Sequence, residues 1–185
     1  GLSDILVGDP VNNRVYVVYG SPGGIGQDFA LTSLATGQNG TLGRVYTASS
    51  GQIGTWASAA GDVNGDGFDD LLVGVTGLSG GSAALYLIPG GPTTSTAGVL
   101  DVSTSALESF QLDGNGAVAT GVGDVNDDQY DDFVVADPNG SFGGGAAIYL
   151  FLGPPAWRGI GETGPLNPAT HADASLAGAA GVGSQ

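Results

Sequence analysis

Two short stretches of the sequence carry oxygen-bearing side chains at alternate positions, as in a loop that binds a hard cation. They run over 62–74 and 124–136, and each has Asp, Asn, Asp and Asp at positions 1, 3, 5 and 9. Calcium takes about six to eight oxygen ligands at about 2.3–2.6 Å, and alternate residues of a tight loop can direct their oxygens to one point. The backbone carbonyl of position 7 would add another oxygen. The predicted Ca²⁺ ligands are Asp62, Asn64, Asp66, Phe68 and Asp70 in the first loop and Asp124, Asn126, Asp128, Tyr130 and Asp132 in the second.

Two alternatives compete with this interpretation of the loops. An EF-hand or dockerin-like loop begins in the same way, but it needs a bidentate acidic residue at position 12 and a helix after it. Position 12 is Val73 or Val135, within the apolar runs 71–73 and 133–135, which favour strands. A turn-rich β protein without metal is the second alternative, because Asp and Gly are common turn residues. Two copies in matching contexts favour metal binding.

The composition indicates a folded, turn-rich β protein and excludes several classes of partner. The 185 residues include 36 Gly, with 41% hydrophobic and only 11% charged residues. The net charge of −15, with three Arg and no Lys, argues against nucleic acid or an anionic membrane as a partner, because both need a basic surface. The chain has no Cys and therefore no disulfide or thiol chemistry. The sequence also shows no apolar run of about 18 residues, so no membrane span is predicted.

The two loops belong to a longer internal repeat. Asp70 and Asp132 lie 62 residues apart, and the same spacing separates Gly54 from Gly116. In the same register, residues 1–8 align with 67–74, so the chain is predicted to begin inside a third calcium loop and to end inside an inner strand. A repeat of this length predicts stacked structural units.

Each unit shows the same predicted series of strands. An inner strand precedes the loop at 51–60 and at 115–122, and a short apolar strand follows the loop. The next strand carries a Tyr four residues before a Gly, and the predicted role of these Tyr residues is core packing. A polar strand on the outer edge is predicted around 29–34, 98–103 and 164–171. The tyrosines are Tyr16, Tyr86 and Tyr149.

The loop and the strand after it resemble the FG-GAP repeat, the blade unit of the integrin alpha-subunit β-propeller. The Phe-Gly element of that repeat appears here in degenerate form, as Ile53-Gly54 and Asn115-Gly116. The resemblance implies an all-β fold of β-propeller-type blades, each with four antiparallel strands, and a metal loop that joins the first two strands of a blade. Gln129 stands at position 6 of the second loop, where Gly67 stands in the first, so the second loop is expected to bind calcium less well.

The predicted organisation is about three repeats in an incomplete ring. Its parts are the C-terminal portion of a split blade at 1–24, repeats at 25–92 and 93–155 with calcium loops at 62–70 and 124–132, and the start of a further repeat at 156–185. Propellers close with about four to eight blades. The chain is therefore predicted to be either a fragment of a longer chain or a unit completed by other copies, as a homo-oligomer or polymer.

The predicted function is that of a non-enzymatic, calcium-binding structural or adhesion protein that assembles head-to-tail into a filament or ring. Low free calcium in the cytosol favours an extracellular, secreted or cell-surface location. The alternative is a carbohydrate-binding, lectin-like propeller module, in which Trp56 or Trp157 stacks on sugar rings; the ligand is accordingly a protein or a glycan. Catalysis is disfavoured, because the chain has one His (His171) and no Cys or Lys.

Overall fold

The fold is described by a computed structural model of the chain. The described residues are 2–25, 29–35, 42–91, 99–105, 108–112, 118–140, 146–154 and 166–177. They form three four-stranded sheets joined by loops, three short α-helical turns and one 3-10 turn (Ser79–Gly81). The predicted all-β class and the division into propeller-type sheets are confirmed. Each sheet has two edge strands, so none of the three closes into a barrel.

The second and third sheets have the same topology. In chain order, the strands of the second sheet are β4 (Gln52–Gly61), β5 (Asp70–Thr76), β6 (Ala83–Ile88) and β8 (Glu108–Leu112); those of the third are β9 (Val118–Gly123), β10 (Asp132–Asp137), β11 (Ala147–Phe151) and β12 (Ala174–Ala177). Neighbouring strands are antiparallel, in the order β4-β5-β6-β8 and β12-β11-β10-β9. The predicted metal loops connect β4 to β5 and β9 to β10. The inner strands and the strands after the loops thus lie where the repeat predicts them.

The first sheet differs from the other two because one of its edge strands belongs to a later part of the chain. It contains β1 (Ile5–Asp9), β2 (Arg14–Val18), β3 (Gly43–Thr47) and β7 (Val99–Asp101), in the order β1-β2-β3-β7. The β7 strand runs parallel to β3 and pairs with it over three residues, 45–47 with 99–101. The strands β1, β2 and β3 are antiparallel as predicted, and β7 adds a parallel strand at the edge.

The outer strands lie later in the chain than predicted. The segments 29–34 and 164–171 include instead the helical turns α1 (Thr32–Ala35) and α3 (Pro168–His171). The segment 98–103 contains the edge strand β7, which belongs to the first sheet, and the start of the helical turn α2 (Val102–Ser105). The reason is local capping: the amide of Ser103 donates to Asp101 Oδ1 at 2.9 Å, and that of Ala169 donates to Asn167 Oδ1 at 2.9 Å. The outer strands are β3, β8 and β12. The repeat boundaries given above as 25, 93 and 156 stay a prediction.

Most of the apolar core lies between the sheets, and a smaller cluster of Tyr16, Val18 and Val45 packs against Leu34 of α1. One layer, between the first and second sheets, includes Val15, Tyr46, Val73 and Ile88. The other layer, between the second and third sheets, includes Leu85 and the stacked rings of Phe133 and Phe151, whose centroids are 5.0 Å apart. All three repeat tyrosines take part in packing: Tyr16 and Tyr149 are buried, and Tyr86 packs against the first of these layers, as predicted.

Candidate metal centre

The first residue of each loop shapes the turn with its carboxylate. Asp62 Oδ1 accepts a hydrogen bond from the amide of Asp66 at 3.0 Å, and its Oδ2 accepts one from the amide of Gly67 at 2.8 Å. Asp124 does the same in the second loop, with the amides of Asp128 at 3.1 Å and Gln129 at 2.8 Å. A carboxylate that accepts backbone N–H groups further along its own loop fixes a tight turn. The two loops therefore share one backbone design.

The fifth position repeats this behaviour, whereas the third position differs between the loops. Asp66 Oδ1 accepts from the amide of Phe68, and Asp128 Oδ1 accepts from that of Tyr130, each at 3.0 Å. Asn64 Oδ1 accepts from the amide of Asp66 at 2.8 Å. In the second loop the Asn126 amide group donates to Asp128 Oδ2 at 2.8 Å. The side-chain oxygens of positions 1 and 5 thus keep the same local partners in both loops.

The ninth position ties each loop to the sheet. Asp70 accepts from the amide of Val63 at 3.2 Å through Oδ2 and from that of Gly90 at 2.7 Å through Oδ1. In the second loop, the Asp132 carboxylate bridges the corresponding amides, those of Val125 at 2.7 Å and Gly153 at 2.9 Å. Asp70 and Asp132 are 1% and 0% exposed, so each is a buried carboxylate held by backbone donors.

Asp4 takes the same position in the first sheet. Its Oδ1 accepts from the amide of Gly20 at 2.8 Å, as Asp70 accepts from Gly90. The alignment of residues 1–8 with 67–74 is therefore reproduced in the structure. Asp4 differs from Asp70 and Asp132 in being exposed.

Burial and backbone hydrogen bonds shift the pKa values of these carboxylates in opposite directions. Burial raises the pKa of Asp70 to about 6; the hydrogen bond from Gly90 works against this, and the nearby charges of Asp66 and Asp62 add to it. Asp124 is exposed, and the backbone donor Gln129 in particular lowers its pKa. The first loop therefore gathers negative charge around a carboxylate that is costly to ionise, and a bound cation would relieve that cost.

In the metal-free protein, we expect the ionisation of Asp70 to lower the free energy of unfolding as the pH rises from about 4 to about 6. In this window the folded state, with its raised pKa near 6, holds more protons on Asp70 than the unfolded state, so the free energy of unfolding decreases with rising pH. The loss is at most about 3 kcal/mol, because one pKa unit corresponds to about 1.36 kcal/mol. Urea unfolding in calcium-free buffer across this range measures it. An equally steep pH dependence in Asp70→Asn would contradict the assignment to Asp70.

The oxygen atoms of each loop are of the type that calcium prefers as ligands. It offers three carboxylates and one amide oxygen, all hard ligands, and each carboxylate oxygen that accepts one N–H has a second lone pair. In the described part of the chain, however, no three Asp, Glu, His or Cys side chains lie close enough together to hold a metal ion. Calcium coordination by the ten predicted residues, including the carbonyls of Phe68 and Tyr130, therefore stays a prediction.

The second loop adopts the turn of the first with less suitable residues. Gly65 and Gly67 have φ values of 75° and 89° in the first loop, and Asp127 and Gln129 have 62° and 77° at the same positions. A left-handed conformation costs a residue with a side chain about 1–2 kcal/mol. The weaker calcium affinity predicted for this loop from Gln129 therefore has a physical basis in backbone strain.

The two loops touch through the eighth position, which the ligand pattern did not include. Asp131 Oδ2 accepts from the amide of Asp62 at 2.8 Å, and the Asp131 amide donates to the Asp62 carbonyl at 3.1 Å. The neighbouring Tyr130 ring lies so close to Gly65 that any side chain there would collide with it. The signal in the sequence was the Asp at position 8 of both loops, Asp69 and Asp131.

Trp56 and His171, which could also bind a ligand, make contacts within the folded chain. Trp56 is partly buried against the core, and its ring leaves little room at Gly74. His171 lies in α3, where its Nδ1 is 2.8 Å from Thr170 Oγ1 and 2.9 Å from the Asn167 carbonyl oxygen. Trp157 lies outside the described residues. None of the helices in the described ranges is long and apolar enough to cross a membrane.

Comparison with known protein families identifies the repeat. The family model named FG-GAP repeat matches residues 54–88. The chain contains an FG-GAP repeat. The match begins in β4, passes through the first loop and β5, and ends at the last residue of β6. The resemblance inferred from the loops is thereby confirmed, and the third sheet repeats the geometry of the matched segment.

Two curated relatives are integrin alpha chains. Integrin alpha-PS2 of Drosophila melanogaster is 31% identical over 127 residues, which is 62% of this chain and 9% of that protein. Integrin alpha-IIb of Mus musculus is 37% identical over 106 residues, or 51% of this chain and 10% of that protein. The chain therefore spans about a tenth of the length of these relatives.

Proposed function

We propose that this chain is a non-enzymatic, calcium-binding structural or adhesion module of FG-GAP repeats that works outside the cell, either secreted or at the cell surface. The observation that carries the proposal is the pair of matching loops, 62 residues apart, each with an acidic turn at one end and a buried Asp at the other. The similarity to two integrin alpha chains supports a module of the adhesion type.

Calcium would act here as a structural clamp. Nine of the eighteen acidic residues lie in the two loops, where they repel one another. An ion that binds only the folded state stabilises it by RT ln(1 + [L]/Kd), which is about 2.7 kcal/mol at a free concentration of 100 times Kd. Because each loop connects two strands of a sheet, the clamp would hold the sheet and the surfaces beside it in place.

The same contacts argue against acid–base catalysis. The loop carboxylates accept hydrogen bonds from backbone amides, so they maintain the turn, and His171 interacts within its own helical turn. The packing of Trp56 on Gly74 favours a core role over sugar stacking, which makes the lectin-like alternative the weaker of the two. We therefore propose that the ligands are proteins and that assembly is head-to-tail through exposed strand edges.

The calcium proposal is tested by the thermal stability of two variants in calcium and in chelator. Calcium is expected to raise the melting temperature of the unaltered chain by about 5–10 °C, which corresponds to about 2.7 kcal/mol in a protein of this size. Asp66→Ala removes a predicted ligand that is exposed, so about half of this increment should be lost. Differential scanning calorimetry measures both values.

The matched control is Asp101→Ala, which removes an Asp that caps α2 and lies outside both loops. Losing the cap lowers the melting temperature in calcium and in chelator alike, by an amount that corresponds to about 1 kcal/mol. The calcium-induced increment should therefore remain complete. Equal loss of that increment in Asp66→Ala and Asp101→Ala would refute the assignment of calcium to the loops.

A further inference from the structure

The contact between the two predicted metal loops joins different parts of each loop. On the side of the first loop it uses the backbone of Asp62, at position 1, whose carboxylate is a predicted ligand. On the side of the second loop it uses Asp131, at position 8, between the predicted ligands Tyr130 and Asp132. Asp131 is therefore not a predicted ligand itself, but both of its neighbours in the chain are.

The two hydrogen bonds of this contact run in opposite directions. The Asp62 amide donates to Asp131 Oδ2 at 2.8 Å, and the Asp131 amide donates to the Asp62 carbonyl oxygen at 3.1 Å. Two bonds between the same pair of residues restrict both the separation and the orientation of the two backbone segments. The contact is therefore complete only when both loops are closed at this point.

Close packing around the pair leaves little room for one loop to move without the other. A Cβ atom added to Gly61 would collide with the Asp131 carboxylate. A Cβ atom added to Gly153 would lie 2.7 Å from the carbonyl oxygens of both Val63 and Asp131. Val63, at position 2 of the first loop, is fully buried in the layer that also contains Phe133. The first half of one loop and the second half of the other are thus packed as one unit.

The second loop gains most from such support. Asp127 and Gln129 hold left-handed conformations, where the first loop has two Gly residues. A side chain disfavours this conformation, so backbone strain opposes closure of the second loop. Asp62, when held in place, offers Asp131 both a donor and an acceptor and so offsets part of that strain. An ion that fixes the first loop should therefore make the second loop easier to close.

We propose that the contact between Asp62 and Asp131 couples the two loops, so that calcium bound in either loop raises the affinity of the other. The inference rests on the proposed calcium function and extends it to the regulation of both sites. The coupling is reciprocal, because a coupling free energy belongs to the pair of sites and not to one of them. The module would then fill with calcium over a narrower concentration range than two independent loops.

Repulsion between two bound cations acts against this coupling. Salt weakens it, since the Debye length is about 8 Å at an ionic strength of about 0.15 M. The repulsion does not depend on the hydrogen bonds of Asp131. Two variants of Asp131 that carry the same charge but differ in their ability to accept a hydrogen bond therefore separate the contact from the electrostatic effect.

The coupling is measured by isothermal titration calorimetry of calcium binding at this ionic strength. Three proteins are compared: the unaltered chain, Asp66→Ala, which disables the first loop, and Asp128→Ala, which disables the second. The coupling factor is the product of the two stepwise association constants of the unaltered chain, divided by the product of the single association constants of the two variants. It equals 1 when the loops are independent.

The same three proteins are then prepared with each of three further substitutions. Asp131→Ala removes the acceptor, whereas Asp131→Asn keeps an acceptor oxygen without the charge and is also the variant to use if Asp131→Ala does not fold. Asp69→Ala is the matched control. Asp69 stands at position 8 of the first loop and is exposed, and its carboxylate accepts no hydrogen bond from the described residues.

We expect a coupling factor of about 10 in the unaltered chain and with Asp69→Ala, within the range of about 5–150 that coupled sites show. With Asp131→Ala the factor should fall to 1, within the factor of about 2 that independent sites allow. Asp131→Asn should give an intermediate value.

Three results would overturn the coupling: a factor of 1 in the unaltered chain, an equal loss with Asp69→Ala and Asp131→Ala, or equal factors for Asp131→Asn and Asp131→Ala. Two bound ions with a factor of 1 would keep the proposed calcium function and reject this inference. Absence of calcium binding to the unaltered chain would reject both.

Discussion

Replacing Phe133 with alanine is expected to lower the free energy of unfolding by about 3–5 kcal/mol, the usual cost of removing a fully buried aromatic side chain. Phe133 is 0% exposed and stacks on Phe151 with an angle of 9° between the rings. It follows directly after the buried Asp132, so its loss weakens both the layer between two sheets and the base of the second loop. Urea unfolding monitored by circular dichroism measures the change.

Val11→Ala is the control for this prediction. Val11 is 92% exposed, and its truncation removes no packed surface, so a change within about 0.5 kcal/mol is expected. If Phe133→Ala cost no more than this, the stacked pair would not belong to the core of the folded protein.

Replacing Asp70 with alanine is expected to cost about 2–4 kcal/mol, even without calcium. The change removes the acceptor of the Gly90 amide and of the Asn64 side-chain amide, whereas the Val63 amide keeps the Gly61 carbonyl as an acceptor. An unsatisfied buried donor costs about 1–3 kcal/mol, and removing a buried charge returns part of this cost. The free energy of unfolding in calcium-free buffer at neutral pH is the quantity to measure.

Asp4 offers a comparison within the same chain. It makes the equivalent bond to Gly20, but it is exposed, so water can replace it as the acceptor in Asp4→Ala. The expected cost is below about 1 kcal/mol. Equal costs at Asp4 and Asp70 would mean that burial does not determine the role of the ninth loop position.

The strands beside the loops could be predicted because their sequence pattern and their environment agree. Residues 71–73 form an apolar run in a central strand that is covered on both faces, and in the run 133–135 Phe133 and Val135 are buried against the second sheet. The repeat spacing then fixed the position of the third strands, which contain Tyr86 and Tyr149.

The outer strands could not be placed from the same pattern. The segment 98–103 forms only the three-residue strand β7, because Asp101 caps a short helical turn. In the segment 164–171, Asn167 caps a helical turn and Pro168 suits its first position. The Asn-Pro pair was a visible signal of such a turn. The pairing of β7 with β3 had no local signal, because a parallel pair joins residues that lie about fifty positions apart.

The candidate site was predictable in its residues but not in its contacts. Alternate oxygens identified positions 1 to 9 as a loop, and the structure shows that their carboxylates organise the turn through backbone amides. Asp131 stands at position 8, which is not a ligand position, so the ligand pattern does not include it. Its contact with Asp62 depends on how two sheets stack, which a single repeat does not specify.

The pairing of β7 with β3 links two sheets in a way that affects local opening. Val99–Asp101 lies in the chain between β6 and β8 of the second sheet, yet it covers the edge of the first. The backbone amides along that edge can exchange with solvent only when this crossing segment detaches, and detachment pulls on Val102, which is buried between the sheets. The first and second sheets are therefore expected to open together along this edge.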